Sequence, residues 1–312
     1  MHERPTHCRI IAYAVPRRAV LLGLLTLAIC LLALLSGPSV HAADPNKADT
    51  SRRARQDSIA SIPFKKLDAD ARAKVKSVVD NTTFFRRMPV EVVDCDPNLY
   101  LFLIRHPEVI VEIWRYMGVT NLEIERFDAE NFHAEDGAGS IGDVEFLYGD
   151  KNQHILYVTG SYDGSLLPSA IKAKCLLVLT CDYNQNVEGK YLITNRLDLF
   201  VDVENVGVDL LARTFHKMFG KTTDHNFVET AGFVSQISHT TEVNSPGMLR
   251  LVDKLNDLDP GVRGKFVRHI KATSARAKQR TVNVDARERA RRTTNQTTEV
   301  QPARAISNRR SG

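Results

Sequence analysis

Apolar residues alternate with a period of two along Ile171, Ala173, Cys175, Leu177, Leu179, Cys181 and Tyr183, which puts one apolar row on one face of a strand. The even positions run Lys172, Lys174, Leu176, Val178, Thr180 and Asp182. The middle of the strand is therefore apolar on both sides and predicts cover on both faces. Turn residues follow from Asn184 to Gly189, after which Tyr191, Ile193, Leu197, Leu199, Val201 and Val203 resume the odd row. The pattern predicts a long hairpin. Asn205 then reads as an N-cap, Val208, Leu211, Ala212, Phe215 and Phe219 recur at helical spacing, and Gly220 closes the helix.

The flanking elements are shorter. Asp68 caps a predicted helix carrying Ala71, Val75, Val78 and Val79. Pro107 marks the first turn of another, with Ile110, Ile113, Trp114 and Met117 inward, Glu112 paired outward with Arg115 or Tyr116, and Gly118 at its end. Strands are predicted over 122–127, 143–148 and 155–162. Asp224 caps a helix running to about Thr241, and Ser245-Pro246 opens another through Leu249, Val252 and Leu255. Strands in the middle with helices before and after predict an α+β fold, an antiparallel sheet packed against amino- and carboxy-terminal helices. A helix-grip layout, with a curved sheet wrapped on a long carboxy-terminal helix, is one such arrangement.

The chain ends depart from this pattern. Arg9, Arg17 and Arg18 precede an apolar run over 19–35, and small residues surround Ala42, the layout of a signal peptide over 1–42. An uncleaved inner-membrane anchor over 19–35 is the alternative. Either predicts export to the periplasm or beyond. Residues 43–61 are polar and read as a linker, 62–270 as a single domain, and 271–312 as a basic disordered tail. The net charge of +5 is +3 over 1–42 and +8 over 271–312, which leaves −6 on the domain between them. A basic folded face for specific nucleic-acid recognition is therefore not expected. Three cysteines follow the leader, Cys95, Cys175 and Cys181. The last two lie about 20 Å apart along one strand, beyond disulfide reach. Either could bond Cys95, but free thiols in an apolar row are the favoured reading.

Candidate chemistry is sparse. Gly137, Gly139 and Gly142 match a dinucleotide-loop spacing, but they leave a polar stretch and enter a strand, so they predict a hairpin turn and no nucleotide cofactor. On the helix after Asp224, His225, Glu229, Gln236 and His239 share one stripe. His225, Glu229 and His239 are the candidate metal ligands, weighed against a solvated stripe opposite Val228, Ala231, Val234 and Ile237. His133, Glu135 and Asp136 crowd into a predicted loop. Arg86 and Arg87 either hold an anion or pair with Asp94 and Asp96. Trp114 reads as core.

Arg86-Arg87-Met88-Pro89, Asp94-Cys95-Asp96-Pro97, Arg105-His106-Pro107 and Asp224-His225-Asn226-Phe227 resemble uncharacterised exported proteins of planctomycete-type bacteria over residues 62–270. That resemblance implies bacterial export and carries over no activity or site residue. The sequence thus predicts a non-enzymatic module that binds an apolar small molecule or a partner. Two alternatives stand beside it: a metal-dependent or hydrolytic enzyme using His225, Glu229 and His239, and a structural protein tethered to an anionic envelope surface by its basic tail.

Overall fold

A computed structural model describes residues 44, 47–164, 170–204 and 221–299. By internal contacts the chain divides into residues 1–44 and 45–312, and the described helices and strands all belong to the second unit. The leader and the helix predicted over 205–220 lie outside the described residues.

The elements, in chain order, begin with helices α1 (Arg52–Ser61) and α2 (Ala69–Asp80) and strands β1 (Phe84–Arg87) and β2 (Glu91–Asp94). Helices α3 (Pro97–Arg105) and α4 (Pro107–Tyr116) follow, then strands β3 (Glu123–Arg126), β4 (Asn131–Glu135), β5 (Ser140–Gly149), β6 (Gln153–Tyr162), β7 (Ile171–Gln185) and β8 (Tyr191–Val203). Helices α5 (Lys221–Val243), α6 (Ser245–Val252) and α7 (Pro260–Glu299) close the described chain. The eight strands form one antiparallel sheet in the order β1-β8-β7-β6-β5-β4-β3, with β2 also beside β8. Pro89 lies between β1 and β2; lacking an N–H, it fits a break in an edge strand.

Both faces of β7 are covered, as its pattern predicts. On the even side Leu176 and Val178 pack with Phe85, Ile155 and Phe200 beneath α1 and α2. On the odd side lie two clusters. One joins Leu199, Val201 and Val203 to Phe227 of α5. The other joins Cys181 and Ile193 to α3, α4, α5, α6 and α7. The sheet thus grips α5, which Arg86 ties down through two bonds to Asp224, at 2.7 and 2.5 Å. The fold is α+β of the helix-grip type, but the gripped helix is α5; the final helix α7 packs chiefly on α5, α6 and α3.

Several expectations need correction. The segment read as a linker over 43–61 contains α1, capped by Ser51, with Ala54 and Ser58 buried. The tail read as disordered from 271 is helical to Glu299, with Thr273, Ser274 and Ala277 buried; residues 300–312 lie outside the description. In both places small residues fill the interface, so large-apolar periodicity is silent. Asn131–Glu135 is the strand β4 and not a loop, and Asp224 lies inside α5 as an ion-pair partner and not a cap. Met117 is exposed, one residue beyond α4, where Gly118 takes φ 70°. Arg86 and Arg87 do pair internally, with Asp224 and Asp198 in place of Asp94 and Asp96.

Candidate ligand site

The odd-numbered side of β7 faces α5, and cross-strand register fixes which side chains share it. One row runs Phe146, Leu156, Leu177, Leu199, the next His154, Leu179, Leu197, and a third Val158, Cys175, Val201. At either end of this side the clusters are closed: Cys181, Ile193 and Val201 have no exposed surface. Between them Leu156, Leu177, Leu179 and Leu197 are only half-buried. Leu179 fringes one cluster, Leu177 and Leu197 fringe the other, and Leu156 belongs to neither. These leucines pack only at the margins of the clusters, or outside them, and keep part of their surface exposed.

Cys175 stands in the next row of the same face. It keeps accessible surface, yet burial, with a smaller contribution from Asp202, pushes its thiol up to about 12. All three described cysteines are free thiols. Tyr100, hydrogen-bonded to Asn195 and 3.2 Å from Cys181 Sγ, closes one end of the row.

His154 is the polar member of the leucine row. It is 2% exposed, and neither ring nitrogen has a hydrogen-bond partner. Burial first, and the Arg105 charge second, push it down to about 4, so it is neutral at physiological pH. The unfolded chain binds this proton near pH 6.5 and the folded chain resists it to about 4. The stability His154 confers is therefore complete above pH 6.5 and is lost as pH falls towards 4, by about 3 kcal/mol in full. Denaturation measured across this window should show a steep acid limb that His154→Leu flattens; an unchanged limb would contradict a neutral, buried ring.

The residues singled out by sequence are dispersed. His225 and Glu229 are adjacent on α5, with His225 Nδ1 3.8 Å from Glu229 Oε1 and both side chains exposed. His239 lies ten residues further on, about 15 Å along the helix. Among the described residues no three His, Cys, Asp or Glu side chains gather into a metal-holding group. His133 pairs with Asp143 across β4 and β5 at 2.8 Å. Asp136 accepts the Ala138 and Ser140 N–H groups in the glycine-rich hairpin turn, where Gly139 takes φ 109°. Trp114 is half-buried against Phe233, ring centres 5.4 Å apart. Sequence reading picked out the β7 row and Leu197 of β8 but missed Leu156 and His154, which join the row only through the register of β6.

No protein-family model matches the sequence, and no curated protein does. Among solved structures, the Mll3558 protein from Rhizobium loti is 14% identical, aligns over 45% of this chain and 93% of its own, and gives a TM-score of 0.28. Ara h 8.0201 is 10% identical over 48% and 97% of the two chains, with a TM-score of 0.31. An uncharacterised protein from Rhizobium leguminosarum is 13% identical over 47% and 95%, with a TM-score of 0.27. Likenesses at this level carry no argument, and the helix-grip assignment rests on the strand order and on α5 seated against the sheet.

Proposed function

We propose that the protein is a binding module for an apolar small molecule held between the sheet and α5. The observation that carries this reading is the half-buried row of Leu156, Leu177, Leu179 and Leu197 between two closed clusters. Small-molecule sites are concave and mostly apolar, with few polar groups, and His154 would be the polar group of this one. Native mass spectrometry of the freshly purified full chain tests the proposal. The expected result is a bound species of small-molecule mass that extraction into organic solvent removes, with a fall in Tm on its removal because a ligand stabilises the state that binds it. A chain that carries nothing, and whose Tm no added apolar compound raises, would refute it.

We further propose that this module acts outside the cytoplasm, on the strength of the arginine-flanked apolar run over 19–35. Among the described residues no helix is long and apolar enough to cross a membrane. Fractionation of cells expressing the full chain tests export.

A further inference from the structure

The row through His154 runs one strand further than the leucines. Cross-strand register sets Leu197, Leu179, His154 and Gly149 side by side on β8, β7, β6 and β5, about 14 Å across three strand spacings. The row is apolar at the Leu197 end, and at the other end its last place carries no side chain. A Cβ built on Gly149 would lie 3.0 Å from Nδ1 of His154 and 3.2 Å from Nη1 of Arg105. Imidazole and guanidinium thus converge on the place a side chain would fill. Gly149 is not among the glycines with positive φ, so it is the close approach, and not the backbone conformation, that calls for glycine here.

Both side chains bring unused polar atoms to this cradle. His154 is 2% exposed, and neither of its buried ring nitrogens has a hydrogen-bond partner, a loss that folded proteins rarely leave uncompensated. The ring is neutral, and of the two charges acting on it Arg105 outweighs Asp150. A cation beside Nδ1 favours the tautomer that turns a lone pair towards it and keeps the proton on Nε2. Arg105 bonds Glu130 at 2.7 and 2.6 Å, both times through Nη2, so its charge is balanced while Nη1 still has hydrogens to donate. The cradle therefore calls for one neutral group that accepts from Nη1 and donates to Nδ1. A hydroxyl does both. A carbonyl or an ether has nothing to donate, and a carboxylate brings a further charge to a pair already balanced. Arg105, with 30% of its side chain exposed, is the wall of the cradle that solvent reaches.

Resting on the apolar site proposed above, we infer that its ligand is an apolar alcohol, whose hydrocarbon lies along Leu197 and Leu179 and whose hydroxyl sits over Gly149 between His154 and Arg105. Extended 1-decanol spans roughly the length of the row. 1-Methoxynonane matches it in size and keeps the acceptor but lacks the O–H. Calorimetric titration of the full chain, emptied of any bound molecule, compares these two with decanoate. 1-Decanol should bind roughly tenfold more tightly than the ether, the increment of one well-made hydrogen bond, and more tightly than decanoate. Gly149→Ala, which fills the cradle, and His154→Leu should each bring the alcohol down to the level of the ether. In the unsubstituted protein the ¹⁵N resonance of His154 Nδ1 should move with 1-decanol and stay in place with the ether, a readout independent of whether a variant folds. Equal binding of alcohol and ether with an unmoved Nδ1, or tightest binding of decanoate, would overturn this inference and leave the apolar site standing. A chain that binds none of the three would overturn both.

Discussion

Replacing Asp198 with alanine is expected to destabilise the protein by about 3–5 kcal/mol, the usual loss when one partner of a buried ion pair is removed. Asp198 sits on β8 with no exposed surface. Its carboxylate takes Arg87 Nε at 2.7 Å and Nη2 at 3.1 Å, and Arg196 Nε lies 3.6 Å away. Without it the Arg87 and Arg196 guanidinium groups, on adjacent strands, lose the carboxylate they share, and Arg87 keeps the Ala54 carbonyl at 3.1 Å and the longer-range charges of Asp57 and Asp49. The same principle predicts that Arg87→Met combined with Asp198→Leu recovers most of the loss, because apolar groups of similar volume need no charge partner. Urea denaturation of the parent, the single and the double variants measures this. A single variant within about 1 kcal/mol of the parent would show that water already reaches the pair beneath α1.

Trimming the chain to residues 62–270, the limits its apolar pattern suggests, is expected to cost the cooperative fold. At the amino end the cut removes α1, with Ala54 and Ser58 buried on the even face of the sheet. At the carboxy end it removes Thr273, Ser274 and Ala277 from their interface. It also removes Arg276, which bonds Asp96 at 2.6 and 2.8 Å, and Arg280, which bonds Glu242 at 2.6 Å. Asp96 is at the same time the cap of α3, accepting the Asn98 and Leu99 N–H groups. Each kcal/mol lost lowers Tm by about 2–4 °C in a domain of this size, and burial plus two charge pairs amount to several. A chain cut after Val284 should instead melt within about 2 °C of the parent, since residues 285–292 are exposed. Melting curves of the two truncations separate these outcomes; a 62–270 chain as stable as the parent would mean that α1 and the second half of α7 contribute no packing.

The same two segments show where sequence reading stops. The β7–β8 hairpin is legible because its strands are long and keep a mostly apolar odd row, and the apolar Leu176 and Val178 rightly predict cover on the second face. Helix α1 and the later part of α7 are not legible, because Ala54, Ser58, Thr273, Ser274 and Ala277 bury through smallness. Strand β4 reads as a loop because it lies beside the edge strand β3, where a polar sequence such as Asn131–Glu135 is compatible with pairing. The candidate site is half visible in one dimension. Cys175, Leu177, Leu179 and Leu197 stand in the predicted rows of the hairpin, but Leu156 and His154 join them only through the register of β6. The cradle at Gly149 leaves still less trace, since Arg105 comes to it from the end of α3. The two candidate ligands His225 and Glu229 do meet, but at the surface, where the stripe is solvated and the opposite face of α5 is core.

The central claim is that an apolar space lies between the sheet and α5, and adding volume there tests it most directly. Leu177→Phe and Leu197→Phe each put a larger ring into the row. In a filled core such overpacking costs about 1–3 kcal/mol. Across an unfilled space the added ring should leave Tm unchanged or raise it, and should abolish binding of the apolar molecule. Thermal denaturation of the parent and the two variants, with the bound species counted by native mass spectrometry, gives both numbers. Retained stability with lost ligand is the predicted result. A drop of more than about 1 kcal/mol in both variants, with no ligand in the parent to lose, would show that the core is closed there and contradict the account.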